Sequence, residues 1–380
     1  MYTKILIRYG ELVLKKKNRK LFVNVLANNI KHIVGVEPRV EFDRMYLPYS
    51  EENMKNLQYV FGISSYSPVK EVENDVEAIK NAALESVSST SKTFKIAARR
   101  NNKSFPIQSG EMNNILGGHI LRNTSLKVDV NNPDQTIYVE VRKETTYVFS
   151  HYEEGLGGLP VGVTGRTLHL MSGGIDSPVA AFLLMKRGMK VDLLNFITPP
   201  STDERTVEKI KALAGVINKY QVTTNILFAD YSNLMNYLSM TSMQSYKITL
   251  MRRSFYRIAQ EVAKKHKTLV LSNGDNLAQV ASQTLESIST ISSATDMQIL
   301  RPLLTFDKIE TINIAKKIGS YDISIMKANE TCELFAPKEP VTKPSVLQAQ
   351  KLEQELSMIP DLEKDLIENK IERVKLSLAK

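Results

Sequence analysis

The hexapeptide SGGIDS, Ser172 to Ser177, carries the clearest chemical pattern in the chain. It follows a short, mostly apolar segment, residues 166–171, that predicts a buried strand, and it precedes PVAAFLLMKR, which predicts a helix. In a glycine-rich loop between a strand and a helix, the N–H groups of the loop point at the same spot as the positive end of the helix, and that spot suits an anion. Two hydroxyls and the carboxylate of Asp176 belong to the same loop. The hexapeptide therefore predicts a polyphosphate site accompanied by a metal ion.

The ends of the helix are predicted from three residues. Ser177 is expected to cap the helix, Pro178 to be its first residue and Gly188 to lie just past its end. No lysine follows the glycines, so the GxxxxGK[ST] loop of kinases and GTPases is absent, and there is no GxGxxG pattern. A plain turn between a strand and a helix is the alternative that the hexapeptide alone leaves open.

Positive charge is concentrated in two stretches near the N-terminus. The formal net charge of the chain is +9, and its first twenty residues contain seven basic residues and one acidic residue. Residues 92–103, KTFKIAARRNNK, contain no acidic residue at all. The second stretch predicts a nucleic-acid contact surface formed by Lys95, Arg99, Arg100 and Lys103, and a solvated strand face is the alternative.

Cysteine content and apolar segments limit the class of protein. The chain has one cysteine, Cys332, which excludes a disulfide within the chain and an iron–sulfur or zinc site ligated by several of its own cysteines. No apolar run of signal-peptide length follows a basic start, and no run approaches the length of a membrane span. We therefore expect a cytoplasmic protein without membrane contact.

The order of apolar segments predicts an α/β chain in three parts. Residues 1–60 predict a small α+β unit, and residues 61–163 a second compact unit that ends in a segment rich in Gly and Pro. From residue 164 strands alternate with helices, which predicts a parallel sheet. Ligands bind such sheets at the carboxyl ends of the strands, where SGGIDS, Asn195-Phe196 and the segment 273–275 all fall. The tail, residues 345–380, is predicted as charged amphipathic helix.

The hexapeptide resembles the PP-loop, SGGxDS, of ATP pyrophosphatases, which split ATP into AMP and pyrophosphate. Three longer segments resemble the bacterial tRNA 4-thiouridine synthetase family: GGLPVGVTGRTLHLMSGGIDSP (157–178), QVASQTL (279–285) and RPLLTFDK (301–308). The resemblance covers nearly the whole chain in order. It implies a ferredoxin-like domain over residues 1–60, a tRNA-binding THUMP domain over 61–163 and a PP-loop (adenine nucleotide alpha hydrolase-like) catalytic domain over 164–380. The chain resembles the short form of the family, which has no rhodanese domain.

The resemblance also implies a reaction. The uracil O4 of uridine 8 in tRNA attacks the α-phosphate of ATP and releases pyrophosphate, and a sulfur nucleophile then displaces AMP to give 4-thiouridine. ATP and Mg²⁺ are the implied cofactors, with Mg²⁺ near Asp176. A cysteine desulfurase is the implied partner that supplies sulfur as persulfide. The sequence leaves open the oligomeric state, a homodimer included, and a second role in thiamine biosynthesis.

Functional positions of the family carry over residue by residue. The implied catalytic residues are Asp176, Lys308, which would neutralise charge at the adenylyl group, and Cys332, which would handle sulfur. The chain departs from the family at Asn195, where His is usual, and at Asp275 and Ala278, where Glu and Gly are usual. The expected ATP contacts are Leu170, Met171, Ser172, Gly173, Gly174, Ser177, Asn195, Phe196, Arg252, Gly274 and Gln283.

Two alternative functions are weighed against this interpretation. Another PP-loop enzyme that modifies tRNA is one of them, but the 2-thiolating enzymes need several cysteines, and lysidine formation does not explain the THUMP-like half. A tRNA-binding module without catalysis is the other, and the intact SGGIDS loop argues against it. ATP-dependent release of pyrophosphate distinguishes the enzymes from the module.

Overall fold

The computed structural model describes residues 1–329, 331 and 335–378, with the backbone alone at 13–16. The chain forms two compact units, Met1–Gly158 and Leu159–Lys380, called here the N-terminal unit and the C-terminal unit. Within the described ranges, no helix combines the length and the apolar character that a membrane span requires.

The N-terminal unit is built on a nine-stranded sheet with the strand order β2-β3-β1-β4-β8-β7-β5-β6, and β9 pairs with β4. Its strands are β1 (Lys4–Tyr9), β2 (Arg39–Val40), β3 (Arg44–Pro48), β4 (Ile63–Glu73), β5 (Thr93–Arg100), β6 (Lys127–Val128), β7 (Gln135–Val141), β8 (Thr145–Phe149) and β9 (Glu153–Glu154). Its helices are α1 (Arg19–Val34), which follows a 3₁₀ helix over Glu11–Asn18, α2 (Glu51–Leu57), α3 (Val76–Leu84) and α4 (Ser109–Asn123).

The long strand β4 joins the two halves of this sheet. It pairs with β1, where Val69 lies opposite Lys4, and with β8, where Lys70 lies opposite Val148. The predicted boundary between residues 60 and 61 therefore falls just before a strand that is hydrogen-bonded to elements from both predicted domains. The boundaries at 60 and at 163 stay predictions.

The C-terminal unit contains a six-stranded sheet with the order β14-β13-β10-β11-β12-β15. Its strands are β10 (Arg166–Leu170), β11 (Lys190–Ile197), β12 (Thr223–Asp230), β13 (Val270–Ser272), β14 (Gln298–Leu300) and β15 (Ile371–Ser377). Its helices are α5 (Asp176–Lys186), α6 (Glu204–Asn218), α7 (Ser232–Leu238), α8 (Lys247–Lys265), α9 (Leu285–Ser292), α10 (Lys308–Ile318), α11 (Tyr321–Ser324), α12 (Val346–Glu355) and α13 (Ile359–Asn369). The pairs from β14 to β12 are all parallel, which confirms the predicted parallel sheet.

The tail differs from its prediction. Helices α12 and α13 fit the predicted amphipathic helix, but residues 371–377 form β15, which pairs antiparallel with β12. The residues IERVKLS are mostly charged or exposed, so the sequence does not mark a buried strand. The strand forms because the edge of β12 would otherwise leave a row of unpaired backbone donors and acceptors.

Helix α8 explains how the core and the site are positioned together. Its buried positions include Leu250, Met251, Phe255 and Ile258, which recur at helical spacing and pack in the main core of the C-terminal unit. Fully burying one such side chain contributes about 1.5–3 kcal/mol. Arg252 lies at the flank of this buried stripe, so the packing of α8 fixes where its guanidinium group can reach.

Candidate active site

The hexapeptide forms the turn between β10 and α5 and is closed by its two serines. The N–H of Ser172 donates to Oγ of Ser177 (3.1 Å), and that hydroxyl donates to the carbonyl of Ser172 (2.8 Å). The N–H of Gly174 donates to Oγ of Ser172 (3.3 Å). These bonds fix the shape of the loop without a ligand.

Two of the three predictions about the helix ends were wrong by one or two residues. Helix α5 begins at Asp176, with Ile175 as its N-cap, so Ser177 does not cap it and Pro178 is its third residue. The hydroxyl of Ser177 is instead engaged across the loop. Because Ile175 has no side-chain oxygen, the N–H groups of the first turn remain available to an anion. The predicted end is confirmed, since Gly188 (φ 83°) follows the C-cap residue Arg187.

His169, on β10, connects the SGGIDS loop to the sheet by hydrogen bonds. Its imidazole is completely buried, with Nε2 3.0 Å from the carbonyl oxygen of Ser177 and Nδ1 3.0 Å from Oγ of Ser272. Because a carbonyl only accepts, Nε2 carries the proton and Nδ1 accepts from Ser272. Burial lowers the pKa of His169 to about 4, against the opposing effect of its bond to Ser177, so the ring is neutral at neutral pH.

Gly274 lets the end of β13 approach the loop. A Cβ atom at this position would lie 2.8 Å from the carbonyl carbon of Asp176 and 2.8 Å from the N atom of Ser177. Real Cβ atoms do not come so close to backbone, so a side chain here would displace the loop or β13. The prediction that Gly274 contributes to the site thus has a steric explanation: it is a close-approach glycine.

A cavity of about 310 Å³ lies beside the loop at the carboxyl ends of β10, β11 and β13. This volume is at the lower end of the range for small-molecule sites. Gly173 and Gly174 belong to the loop but do not line the cavity, and neither does Lys308. The predicted residues that line it are Leu170, Met171, Ser172, Asp176, Ser177, Asn195, Phe196, Arg252, Gly274 and Gln283.

Two of the predicted catalytic residues contact each other at the edge of the cavity. The ammonium group of Lys308 is 2.8 Å from Oδ1 of Asp176, and their side chains are 44% and 21% exposed. Nε2 of Gln279 donates to Oδ2 of the same carboxylate (2.9 Å). Gln279 was not predicted as a site residue, although it begins the quoted segment QVASQTL. Both oxygens of Asp176 are therefore occupied by donors.

A network of buried charged residues that includes Arg252 forms one wall of the cavity. Arg252 donates to the carboxylate of Asp275 (2.5 Å) and to Oγ of Ser282 (3.0 Å). Arg301 also contacts Asp275, at 3.4 Å. Burial favours the neutral form of Asp275, but the two guanidinium groups and a hydrogen bond from Asn273 outweigh it and hold its pKa below the ordinary value. Asp275 is thus a buried anion that fixes the direction of Arg252.

Asn195 and Phe196 shape the apolar part of the cavity. Nδ2 of Asn195 donates to the carbonyl of Met171 (2.8 Å), which fixes the amide, and its buried Oδ1 has no partner among the described residues. The ring of Phe196 stacks on that of Phe255 with 3.8 Å between centroids. Its carbonyl accepts a bond from Oγ1 of Thr331 (2.8 Å), which also lines the cavity. Cys332, the predicted sulfur-handling residue, lies outside the described residues.

The predicted RNA-binding residues are divided between two faces of β5. Phe94 and Ile96 are buried in the core, so by alternation Lys95 and Arg99 lie on the opposite face while Arg100 shares the core-facing side. Arg100 donates to the carbonyl of Phe105 (2.9 Å). Lys95 donates to the carbonyl of Val130 (3.0 Å), and Arg99 and Lys103 are exposed. Arg100 therefore does not share a face of β5 with Lys95 and Arg99, and the assignment of the four residues to RNA binding stays a prediction.

The parallel sheet, with a self-closed SGGIDS loop between an inner strand and its helix, defines the C-terminal unit as a PP-loop domain of the adenine nucleotide alpha hydrolase-like class. Three family models match the chain: the thiamine biosynthesis protein (ThiI) family over residues 162–358, the ThiI ferredoxin-like domain over 4–67 and the THUMP domain over 70–151. The chain belongs to the ThiI family.

Curated relatives match over nearly their whole length. A protein of Mycoplasmopsis agalactiae named probable tRNA sulfurtransferase is 60% identical, with 98% of this chain and 99% of the relative covered. A protein of Moorella thermoacetica with the same name is 42% identical, with 97% of each covered. Among solved structures, a 4-thiouridine synthetase in complex with RNA and with bound ATP superposes with a TM-score of 0.94 at 34% identity, covering 99% of this chain and 100% of the other.

Proposed function

We propose that this chain is an ATP-dependent tRNA sulfurtransferase that converts uridine 8 of tRNA to 4-thiouridine. One observation carries the proposal: the SGGIDS loop borders a cavity, and Asp176 and Lys308 meet at its edge. The names of the relatives and the likeness to a 4-thiouridine synthetase solved with RNA and ATP support it. ATP is the nucleotide that the family resemblance predicts for the cavity.

The loop and its neighbours would bind the nucleotide as follows. The N–H groups of Ser172 and Gly174 donate to the hydroxyls of Ser177 and Ser172, and these bonds shape the cradle. The other N–H groups of the loop and those of the first turn of α5 would face the phosphates. The apolar wall with Phe196 accommodates the base. Arg252, held by Asp275, supplies positive charge to the phosphates.

Lys308 would act at the α-phosphate. It is the first residue of α10, whose N-terminus is closed by the capping box of Asp307 and Glu310, so the ammonium group itself would supply the positive charge. When O4 of uracil bonds to the α-phosphorus, the bond to pyrophosphate breaks and negative charge grows on the leaving oxygens, which a cation stabilises. Lys308 must leave Asp176 to reach them. The terminal sulfur of a Cys332 persulfide then bonds to C4 of uracil, the C4–O4 bond breaks and AMP leaves. A thiol from outside the chain must then attack the sulfur of Cys332 and break the S–S bond, which forms a disulfide with Cys332, because the chain has no second cysteine.

Mg²⁺ enters the proposal through Asp176. Among the described residues, no three His, Cys, Asp or Glu side chains are placed to hold a metal ion together. Mg²⁺ is commonly held by one or two carboxylates together with substrate phosphates, and one carboxylate beside a phosphate loop fits that pattern. When bound, the ion would neutralise phosphate charge. Each oxygen of Asp176 accepts one bond, from Lys308 or from Gln279, and keeps a second lone pair that could bind the ion.

Sulfur delivery is assigned to Cys332 and to a cysteine desulfurase as persulfide donor, in the cytoplasm, where the tRNA substrate is. Replacement of Cys332 by Ser should block thiolation by the desulfurase and leave ATP binding intact. Normal thiolation by that variant, supplied with desulfurase and cysteine, would remove Cys332 from the mechanism without affecting the nucleotide site.

Mass spectrometry of tRNA nucleosides from cells with and without the gene tests the proposed function. We expect 4-thiouridine to disappear with the gene and to return with the wild-type copy. An unchanged level of 4-thiouridine would refute the proposal and favour a tRNA-binding module without catalysis.

A further inference from the structure

A chain of buried hydrogen bonds under the phosphate loop has no role in the proposed reaction. It starts at Thr167, whose hydroxyl is 2.9 Å from Oγ of Ser272, continues from Ser272 to Nδ1 of His169, and ends with Nε2 of His169 at the carbonyl of Ser177. Thr167, His169 and Ser272 are all completely buried. The chain links two strands, β10 and β13, to the first turn of α5.

The direction of each bond is set by chemistry. The carbonyl of Ser177 can only accept, so the imidazole must donate there and must accept from the hydroxyl of Ser272. A neutral imidazole with this tautomer is the one state that satisfies both partners. An apolar side chain would leave both the carbonyl of Ser177 and the hydroxyl of Ser272 without this partner.

The same turn is constrained from a second direction. Gly274, two residues after Ser272, brings the backbone of the β13 end against the backbone of Asp176 and Ser177. The close backbone contact at Gly274 and the hydrogen bond from His169 together define the position of the turn. Ser177 in turn fixes Ser172 through the two bonds across the loop.

We propose that His169 is a positioning residue of the phosphate loop, which sets the place of the loop N–H groups by holding the carbonyl of Ser177. It does not touch the nucleotide. The inference rests on the proposed function only for the identity of the ligand that the loop binds. The effect of His169 on the loop itself can be measured by amide hydrogen exchange without any ligand.

Three single variants of the full chain test this role. His169→Leu removes both hydrogen bonds, while His169→Gln keeps an N–H donor that can reach the carbonyl of Ser177. Thr224→Val is the matched control, because it removes a completely buried hydroxyl from β12 that bonds to Gln221 and Asn218 and not to the loop. Each protein is examined by amide hydrogen exchange and by the KM for ATP in tRNA-dependent release of pyrophosphate.

We expect His169→Leu to speed exchange in residues 172–177 and to raise the KM for ATP about tenfold with a smaller effect on kcat, since small displacements of a binding loop weaken its contacts. His169→Gln should restore most of both, and Thr224→Val should change neither. Unchanged loop exchange in His169→Leu, or equal loop effects in Thr224→Val, would overturn the inference. If the wild type releases no pyrophosphate, the proposed function fails, and the exchange data alone still decide the role of His169.

Discussion

The nucleotide cavity and the basic strand β5 present their predicted residues in different ways. Most of the predicted cavity residues lie at the ends of three parallel strands, which meet at one edge of the sheet whatever the side chains are. The basic residues lie along one strand, where neighbours alternate between faces, so Arg99 and Arg100 point to opposite sides. Residues that lie at loops or strand ends can thus come together in space, whereas residues that follow one another along a strand are divided between its two faces. The predictions below test this contrast.

The largest effect is expected at Lys308. Lys308→Met should lower turnover by roughly 10²–10³-fold while ATP still binds, because a cation that stabilises charge in the transition state contributes on this scale. Single-turnover release of pyrophosphate and a nucleotide titration measure the two quantities. Turnover within a few-fold of wild type would reduce Lys308 to a surface ion pair with Asp176, worth about 0–1 kcal/mol of stability.

The second effect concerns acid stability through His169. Its pKa is about 4 in the folded chain, against about 6.5 when unfolded. Above pH 6.5 both states are neutral, and as the pH falls toward 4 only the unfolded state gains a proton, so folding is progressively weakened. Between neutral pH and about pH 4.5, protonation of this residue in the unfolded state lowers the free energy of unfolding by roughly 2.5 kcal/mol.

Urea unfolding of the wild type and of His169→Gln at both pH values measures this term as a difference, because other groups titrate equally in both proteins. The decrease in the free energy of unfolding between neutral pH and pH 4.5 should be smaller in His169→Gln than in the wild type by roughly 2.5 kcal/mol. Equal losses would show that His169 can be protonated inside the fold, contrary to its burial beneath the loop.

A third effect separates the close-approach glycine from an ordinary one. Gly274→Ala should raise the KM for ATP about tenfold, because its Cβ would displace the loop that binds the phosphates. Gly215→Ala, inside α6 with nothing within 4 Å of its Cβ, should leave KM unchanged and add up to about 1 kcal/mol of stability. Equal KM values for ATP in both variants would show that the position of the loop does not affect ATP binding.

The smallest effect is expected on the basic strand. If Lys95 and Arg99 contact phosphates, replacing both by Ala should reduce the slope of log affinity for tRNA against log salt by about 0.9 for each contact, and by less for single-stranded segments. Arg100→Ala should leave the slope unchanged, because Arg100 lies on the core-facing side of β5, opposite to Lys95 and Arg99. An equal change of slope in Arg100→Ala would contradict the division of β5 into two faces.

The sequence predicted the parts of this molecule that depend on local pattern. The loop, the parallel sheet and the glycine at the end of α5 follow from spacing and residue type, and most of the predicted nucleotide contacts line one cavity. His169, Asp275 and Gln279 were not predicted as site residues, because each has its partner elsewhere in the chain: Gln279, for example, bonds to a residue 103 positions away. Strand β15 was missed for a similar reason, since the edge it pairs with, and not its own composition, makes it a strand.

The backbone at Ala278 shows why Gly suits this position in the family. Its backbone has a φ of 63°, in the left-handed region that favours glycine, and Gly is usual at this position in the family. The chain therefore keeps a turn that suits Gly while it carries Ala, next to Gln279, which contacts the carboxylate of Asp176.

Release of pyrophosphate from ATP, measured with and without tRNA for the wild type and for Asp176→Ala, tests the central claim most directly. Asp176 is partly exposed in the loop and contacts Lys308 and Gln279, so its replacement should leave the fold and tRNA affinity nearly unchanged. We predict tRNA-dependent release of pyrophosphate by the wild type and loss of that release in Asp176→Ala. Release by the variant at the wild-type rate would show that SGGIDS is only a turn and would contradict the proposed function of the cavity.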